Sequence, residues 1–281
     1  MAKNKNNKTV TIISIFLLLL PFTISLMYFI TNYLLNKNSF LYNNTEELSL
    51  INHHSFWWYL VRYDILSFLA YLLPLVITML CCSRFFKVYH SKMLNSLSQE
   101  NSYKEVMQKE IKLAWLKNLI LPMILAIFFV ISYLIFPNGI INKTNIGRFL
   151  YPFQIGHEYM NKIYPSLFVV LYLLIVFLYG VFITNLGIIL SKFIKKLPIL
   201  IIGNYIVVII LDNIFNFALA PIVKSLTKID RMANGFSILN IYYLDGVPSL
   251  WWEFVWIIFL ICITIVIIYK LYKNNDKIIN N

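Results

Sequence analysis

Residues 166–190 read SLFVVLYLLIVFLYGVFITNLGIIL, twenty-five positions without one charged side chain. At a rise of about 1.5 Å per residue, a helix of this length crosses a hydrocarbon core of about 30 Å. Working outward, comparable apolar stretches recur along the chain. They place spans at about 9–36, 65–83, 118–137, 165–191, 197–221 and 248–269, the fifth interrupted only by Asp212. Helices are the only candidates, because lipid-exposed backbone must satisfy its own hydrogen bonds. The expected fold is all-α: one polytopic domain, residues 1–281, of six transmembrane helices. Lys3, Lys5 and Lys8 precede the first span. That span is too long for a signal h-region and is followed by no small-x-small cleavage site, so it is expected to stay as an anchor.

Composition agrees. Of 281 residues, 60% are hydrophobic and 13% charged, against about a quarter charged in a globular domain. The net charge of +12 is not a nucleic-acid signature. The basic residues sit in separate short loops and form no single basic face with interleaved aromatics. Nucleic-acid partners are therefore excluded, and the lipid bilayer is the expected surrounding. Cys81, Cys82 and Cys262 lack CxxC or Cys/His metal spacing and read as small apolar side chains in packed helices.

Lysine and arginine set the orientation. With the N-terminus in the cytoplasm, sixteen of the 24 Lys and Arg residues fall on the cytoplasmic side, and six spans return the C-terminus there. Phe56, Trp57, Trp58 and Tyr59 before the second span, and Trp251 and Trp252 at the sixth, are expected in the outer headgroup belt. Pro21, Pro74 and Pro122 are expected to kink or start helices, as is common in membranes.

The one long water-compatible stretch is the cytoplasmic segment 84–117. Ser102 and Glu105 form S-x-x-E, a capping box that starts a helix. Tyr103, Met107, Ile111 and Ala114 then recur at helical spacing as one apolar stripe, with Val106 beside it. Lys104, Glu105, Gln108, Lys109 and Lys112 occupy the other side. A helix of this length is marginal alone in water, so its stripe needs a surface. The lipid interface, the inner ends of its own spans and a partner's groove are all open.

Six spans with both ends inside, a long helical second cytoplasmic segment and a very short third one (SKFIKKLP) resemble the permease subunits of ABC exporters of the type-2 class. The likeness is strongest from SFLAYLLPLVITMLCCSRFFKVYHSKML through EVMQKEIKLAWLKNLILPMI. The resemblance implies that this segment carries a coupling helix seated in a cleft of an ATPase subunit, with Ser102, Glu105, Met107, Ile111 and Trp115 as candidate contacts. It also implies a bacterial cytoplasmic membrane and a second permease copy or sister permease. No G-x-x-x-x-G-K-[ST] loop is present to cradle ATP. The chain is expected to bind no cofactor directly, with ATP and Mg held by the partner.

Asp212 is the one acid deep within a span, and Asn204 and Asn216 share its face, with Asn213 adjacent. An intramembrane carboxylate faces a bundle interior or a watery cavity. A substrate pathway, a permease–permease interface and a structural clasp between helices are all open for this group. Gly180, Thr184 and Gly187 permit close backbone approach and read as packing. Arg62 and Asp64 are placed to pair at the outer rim. His53 and His54 are adjacent and so poorly placed to share a metal, and Glu46–Glu47 lacks the arginine and membrane location of an intramembrane protease. His157–Glu158 lacks a third partner, and no G-x-S-x-G turn is present. The expected activity is thus export driven from outside the chain. The alternatives are a non-ABC membrane protein, such as an immunity or sensor component, and a membrane-embedded hydrolase.

Overall fold

The computed structural model describes residues 2–31, 35, 53–62, 64–90, 103–137, 165–227, 236–239 and 250–273. Ordered along the chain, the helices are α1 (Ala2–Phe29), α2 (His53–Arg62) and α3 (Asp64–Ile77), then a π-helical turn at Thr78–Cys82 leading into α4 (Ser83–His90). These are followed by α5 (Tyr103–Lys117), α6 (Ile120–Ile135), α7 (Pro165–Ser191) and α8 (Leu197–Ile214). A second π-helical turn, Phe215–Leu219, leads into α9 (Ala220–Thr227), and α10 (Leu250–Lys273) completes the described set. Among the described residues, six helical stretches are long and apolar enough to cross a membrane: Lys8–Phe29, Tyr71–His90, Tyr103–Ile135, Ser166–Ser191, Leu197–Leu226 and Trp251–Tyr272. The chain is a multi-pass membrane protein by this architecture.

The direction in which side chains point makes the same case. Along α8 every fourth residue, Leu200, Asn204, Val208 and Asp212, is buried. Ile202, Ile206, Ile210 and Ile214, between them, are about half exposed. Two of the four inward positions are polar while the outward ones are isoleucine, the reverse of a helix on a water-soluble core. On α1 a narrow stripe of Ser14, Leu18, Phe22, Ser25 and Phe29 is buried, while Ile12, Phe16 and Met27 face out. Contiguous apolar surface of this extent is unfavourable in water and suited to lipid.

Helix α7 is the axis. Every residue from Tyr179 to Ile188 is buried, and α7 packs on α10, α8, α6 and α3. Gly187 makes the tight approach possible: a Cβ there would stand 2.6 Å from Cys82 Sγ.

At one end of the bundle α2 folds inward against α6 and α1. Phe56, Trp57 and Trp58 are therefore core residues, at most 5% exposed, where the sequence pattern had pointed to a headgroup belt. The reason is local. Trp57 Nε1 donates to the Leu125 carbonyl at 2.9 Å, so the indole is satisfied inside the bundle and needs no interfacial water. Rings of Phe129 and Tyr172 pack edge-on against it, and Phe29, Phe56 and Phe136 form an adjoining aromatic cluster. Trp251 is exposed, whereas Trp252 packs against Phe236. The Tyr59, Arg62 and Asp64 side chains, and residues 46–47 and 157–158, lie outside the described residues.

At the other end, which carries most of the lysines, the second and third spans continue as an antiparallel hairpin of α4 and α5. Three links hold the register. Arg84 meets Glu110, Lys117 Nζ donates to the Leu80 carbonyl at 3.1 Å, and Cys81 Sγ reaches Asn118 Oδ1 at 3.3 Å. The segment read as a separate amphipathic arm is thus an extension of the third span, broken from α6 only by the turn at Asn118–Leu119.

Candidate functional site

Helix α5 settles where its own stripe goes. Tyr103, Met107 and Ala114 are buried against Phe85 of α4, Ile188 of α7 and Ile268 of α10, with Ile111 packed beside them. Of the three surfaces open to it, the stripe lies on the ends of its own spans. Glu105 is on the exposed side with Lys104, Gln108, Lys109 and Lys112, and Ser102 lies outside the described residues. Met107, Ile111 and Trp115 are brought together, facing inward.

Glu110 was not singled out by the sequence reading. It is 4% exposed, and both its oxygens accept from Arg84, from Nε and from Nη2, each at 2.8 Å. A bidentate guanidinium–carboxylate pair fixes orientation as well as distance. The available signal was the position of Glu110, the one acid on the buried side of α5, seven residues past Tyr103.

Above the hairpin a seam of uncharged polar groups crosses the bundle. Trp115 Nε1 donates to Asn185 Oδ1 at 2.8 Å, and Asn185 Nδ2 donates to Thr264 Oγ1 at 3.0 Å, joining α5, α7 and α10. Asn118 sits at the α5–α6 break, with Nδ2 donating to the Ala114 carbonyl at 3.3 Å. Its amide also faces the Thr184 hydroxyl, 3.0 Å from Nδ2 and 3.3 Å from Oδ1. Gly180 is what admits this side chain, since a Cβ there would stand 2.6 Å from Asn118 Oδ1. Asn204 Nδ2 donates to Thr78 Oγ1 at 2.6 Å and to the Ile183 carbonyl at 3.1 Å. Thr78 opens the first π-helical turn, a local widening common at functional positions.

Asp212 belongs to a different place. Its Oδ1 accepts from Ser237 Oγ at 2.7 Å and from the backbone N–H groups of Ile238 and Leu239 at 2.7 and 3.1 Å. Asn216 Nδ2 donates to Oδ2 at 3.2 Å. The carboxylate therefore clasps the segment 236–239, from the connection between the fifth and sixth spans, onto α8. Asn204 and Asp212 share the buried stripe but sit two turns apart, about 12 Å, and make no common site. Asn213 is exposed and bonds its own helix at the Ile209 carbonyl.

Glu253 of α10 is a further buried acid, 1% exposed, and its Oε2 has no hydrogen-bond partner among the described residues. The sequence reading passed over it because it stands near the start of the span. His53 and His54, on α2, which is not one of the six spans, stack at 4.1 Å. Burial first, then His53, pushes the His54 imidazole down to about 4. It is neutral at ordinary pH and packs edge-on against Phe129. Among the described residues no group of three His, Cys, Asp or Glu side chains is placed to hold a metal ion.

Compared with protein-family models, with curated proteins and with solved structures, the chain matches none.

Proposed function

We propose that the chain is the membrane-spanning permease subunit of a type-2 ABC exporter in a bacterial cytoplasmic membrane, with both termini in the cytoplasm. A separate subunit binds ATP and Mg and hydrolyses the nucleotide, and a second copy or sister permease completes the pathway. The observation that carries this reading is the way α5 is tied to the bundle. Arg84–Glu110 fastens it to α4 and Trp115–Asn185 fastens it to α7, while its charged face is left exposed. A push on that face moves span three directly and reaches the axis helix through the polar seam, the coupling that a two-state bundle requires.

This arrangement shifts the proposed partner contact. Met107 is buried against the protein's own spans and Ile111 packs beside it, partly exposed toward α10 rather than on the charged face, so the partner would meet Glu105 and Lys109 on the outer face. The test is purification of the tagged full chain from its native membrane, followed by identification of co-purifying proteins and measurement of ATP turnover. A P-loop ATPase should accompany the chain, and the charge reversals Glu105→Lys and Lys109→Glu should release it. Purification without any nucleotide-hydrolysing protein would instead favour the sensor or immunity reading.

A further inference from the structure

Between α5 and α10 lies an open groove of about 560 Å³, within the range of small-molecule sites. Met107, Ile111, Ile265 and Ile268 form its apolar surface, and Lys104 and Lys112 stand along the α5 wall. Both lysines are exposed, and neither has an ion-pair or hydrogen-bond partner among the described residues. The nearby buried acid, Glu110, is already engaged on both oxygens by Arg84.

Depth adds to the chemistry. Ile265 lies five residues before Lys270 on α10, about 7 Å along the helix. The groove therefore runs from the edge of the hydrocarbon core to the level where lysines begin. An apolar cleft in that position, carrying two uncompensated positive charges, is complementary to one kind of molecule.

We infer that the groove between α5 and α10 is a binding site for an anionic phospholipid, with an acyl chain against Ile111, Ile265 and Ile268 and the headgroup phosphate between Lys104 and Lys112. Basic pockets between helices at the membrane boundary recognise acidic headgroups in this way. The inference is independent of the transport reading: it needs only the bilayer, the groove and its charge. Bound there, the lipid bridges α5 to α10.

The test is native mass spectrometry of the full chain, delipidated in mild detergent and offered equimolar dioleoylphosphatidylglycerol and dioleoylphosphatidylcholine. The wild type should retain one phosphatidylglycerol in preference to phosphatidylcholine by roughly thirtyfold, the scale set by two lysines near a phosphate. K104Q/K112Q should lose that preference while its melting temperature stays at the wild-type value. I265W, which fills the cleft from an exposed position, should lose the tightly held lipid altogether. Equal retention of the two lipids by wild type would overturn the proposal. So would an undiminished preference in K104Q/K112Q, undiminished retention in I265W, or a dimer of this chain that excludes lipid from the groove.

Discussion

At the scale of single residues, the polar groups inside this bundle act as fasteners. Asp212 makes the clearest case, since one of its oxygens gathers a hydroxyl and two backbone N–H groups from Ser237–Leu239. Removing an acceptor of this kind strands buried donors, at about 1–3 kcal/mol each before relaxation. Asp212→Ala should lower stability by about 2–4 kcal/mol, and Asp212→Asn by less, because the amide oxygen still accepts. Thermal unfolding in detergent measures both, and an Asp212→Ala protein that melts with wild type would contradict the clasp. Gly180 and Asn118 form a second case. Gly180→Ala should destabilise, since its Cβ meets an amide held by Thr184, Ala114 and Cys81. Adding Asn118→Ala should then recover part of the loss, a coupling read from a double-mutant cycle on the same melting curves. None of these partnerships was legible beforehand. An asparagine or threonine inside an apolar run looks tolerable in sequence, and only the packed helices reveal what it reaches.

At the scale of elements, α5 shows where reading from sequence succeeds and where it stops. Its helix was legible from the spacing of Tyr103, Met107, Ile111 and Ala114, because a period near 3.6 is a property of the chain itself. What the stripe lies on was not, because an apolar stripe is complementary to lipid, to a partner and to the protein's own spans alike. Glu110 and Arg84 decide the matter here, and their exposures differ in a way that predicts an asymmetry. Arg84 has 48% of its side chain exposed and Glu110 only 5%. Glu110→Ala leaves an arginine free to turn to water, whereas Arg84→Ala leaves a carboxylate buried without its partner. Arg84→Ala should therefore cost more, by about 1–2 kcal/mol, in chemical or thermal unfolding. Equal losses would mean that the pair is not what holds α5 on α4. For α2 the aromatic run Phe56-Trp57-Trp58 gave a misleading cue, since the same rings suit a headgroup belt and a core. The acceptor at Leu125 lies on a helix nearly seventy residues away.

At the scale of the whole molecule, the six spans were legible because the bilayer fixes their length and charge content without reference to neighbours. The arrangement around α7 depends on contacts between distant segments and needed the structure. An even number of spans and the lysine bias predict both termini in the cytoplasm. Green fluorescent protein fused to either end should fluoresce in cells, and alkaline phosphatase fused to either end should remain inactive. Active phosphatase at one end would require an odd number of spans. The transport proposal adds that force enters through the exposed face of α5, a claim that places two residues of one helix in opposite environments. A photo-cross-linking amino acid placed at Lys109, in the full chain in native membranes, tests this most directly, with the same group at Met107 as its counterpart. The account predicts that position 109 captures a P-loop ATPase and that position 107 captures no other protein. Capture of lipid alone from position 109, or of the ATPase from position 107, would contradict it.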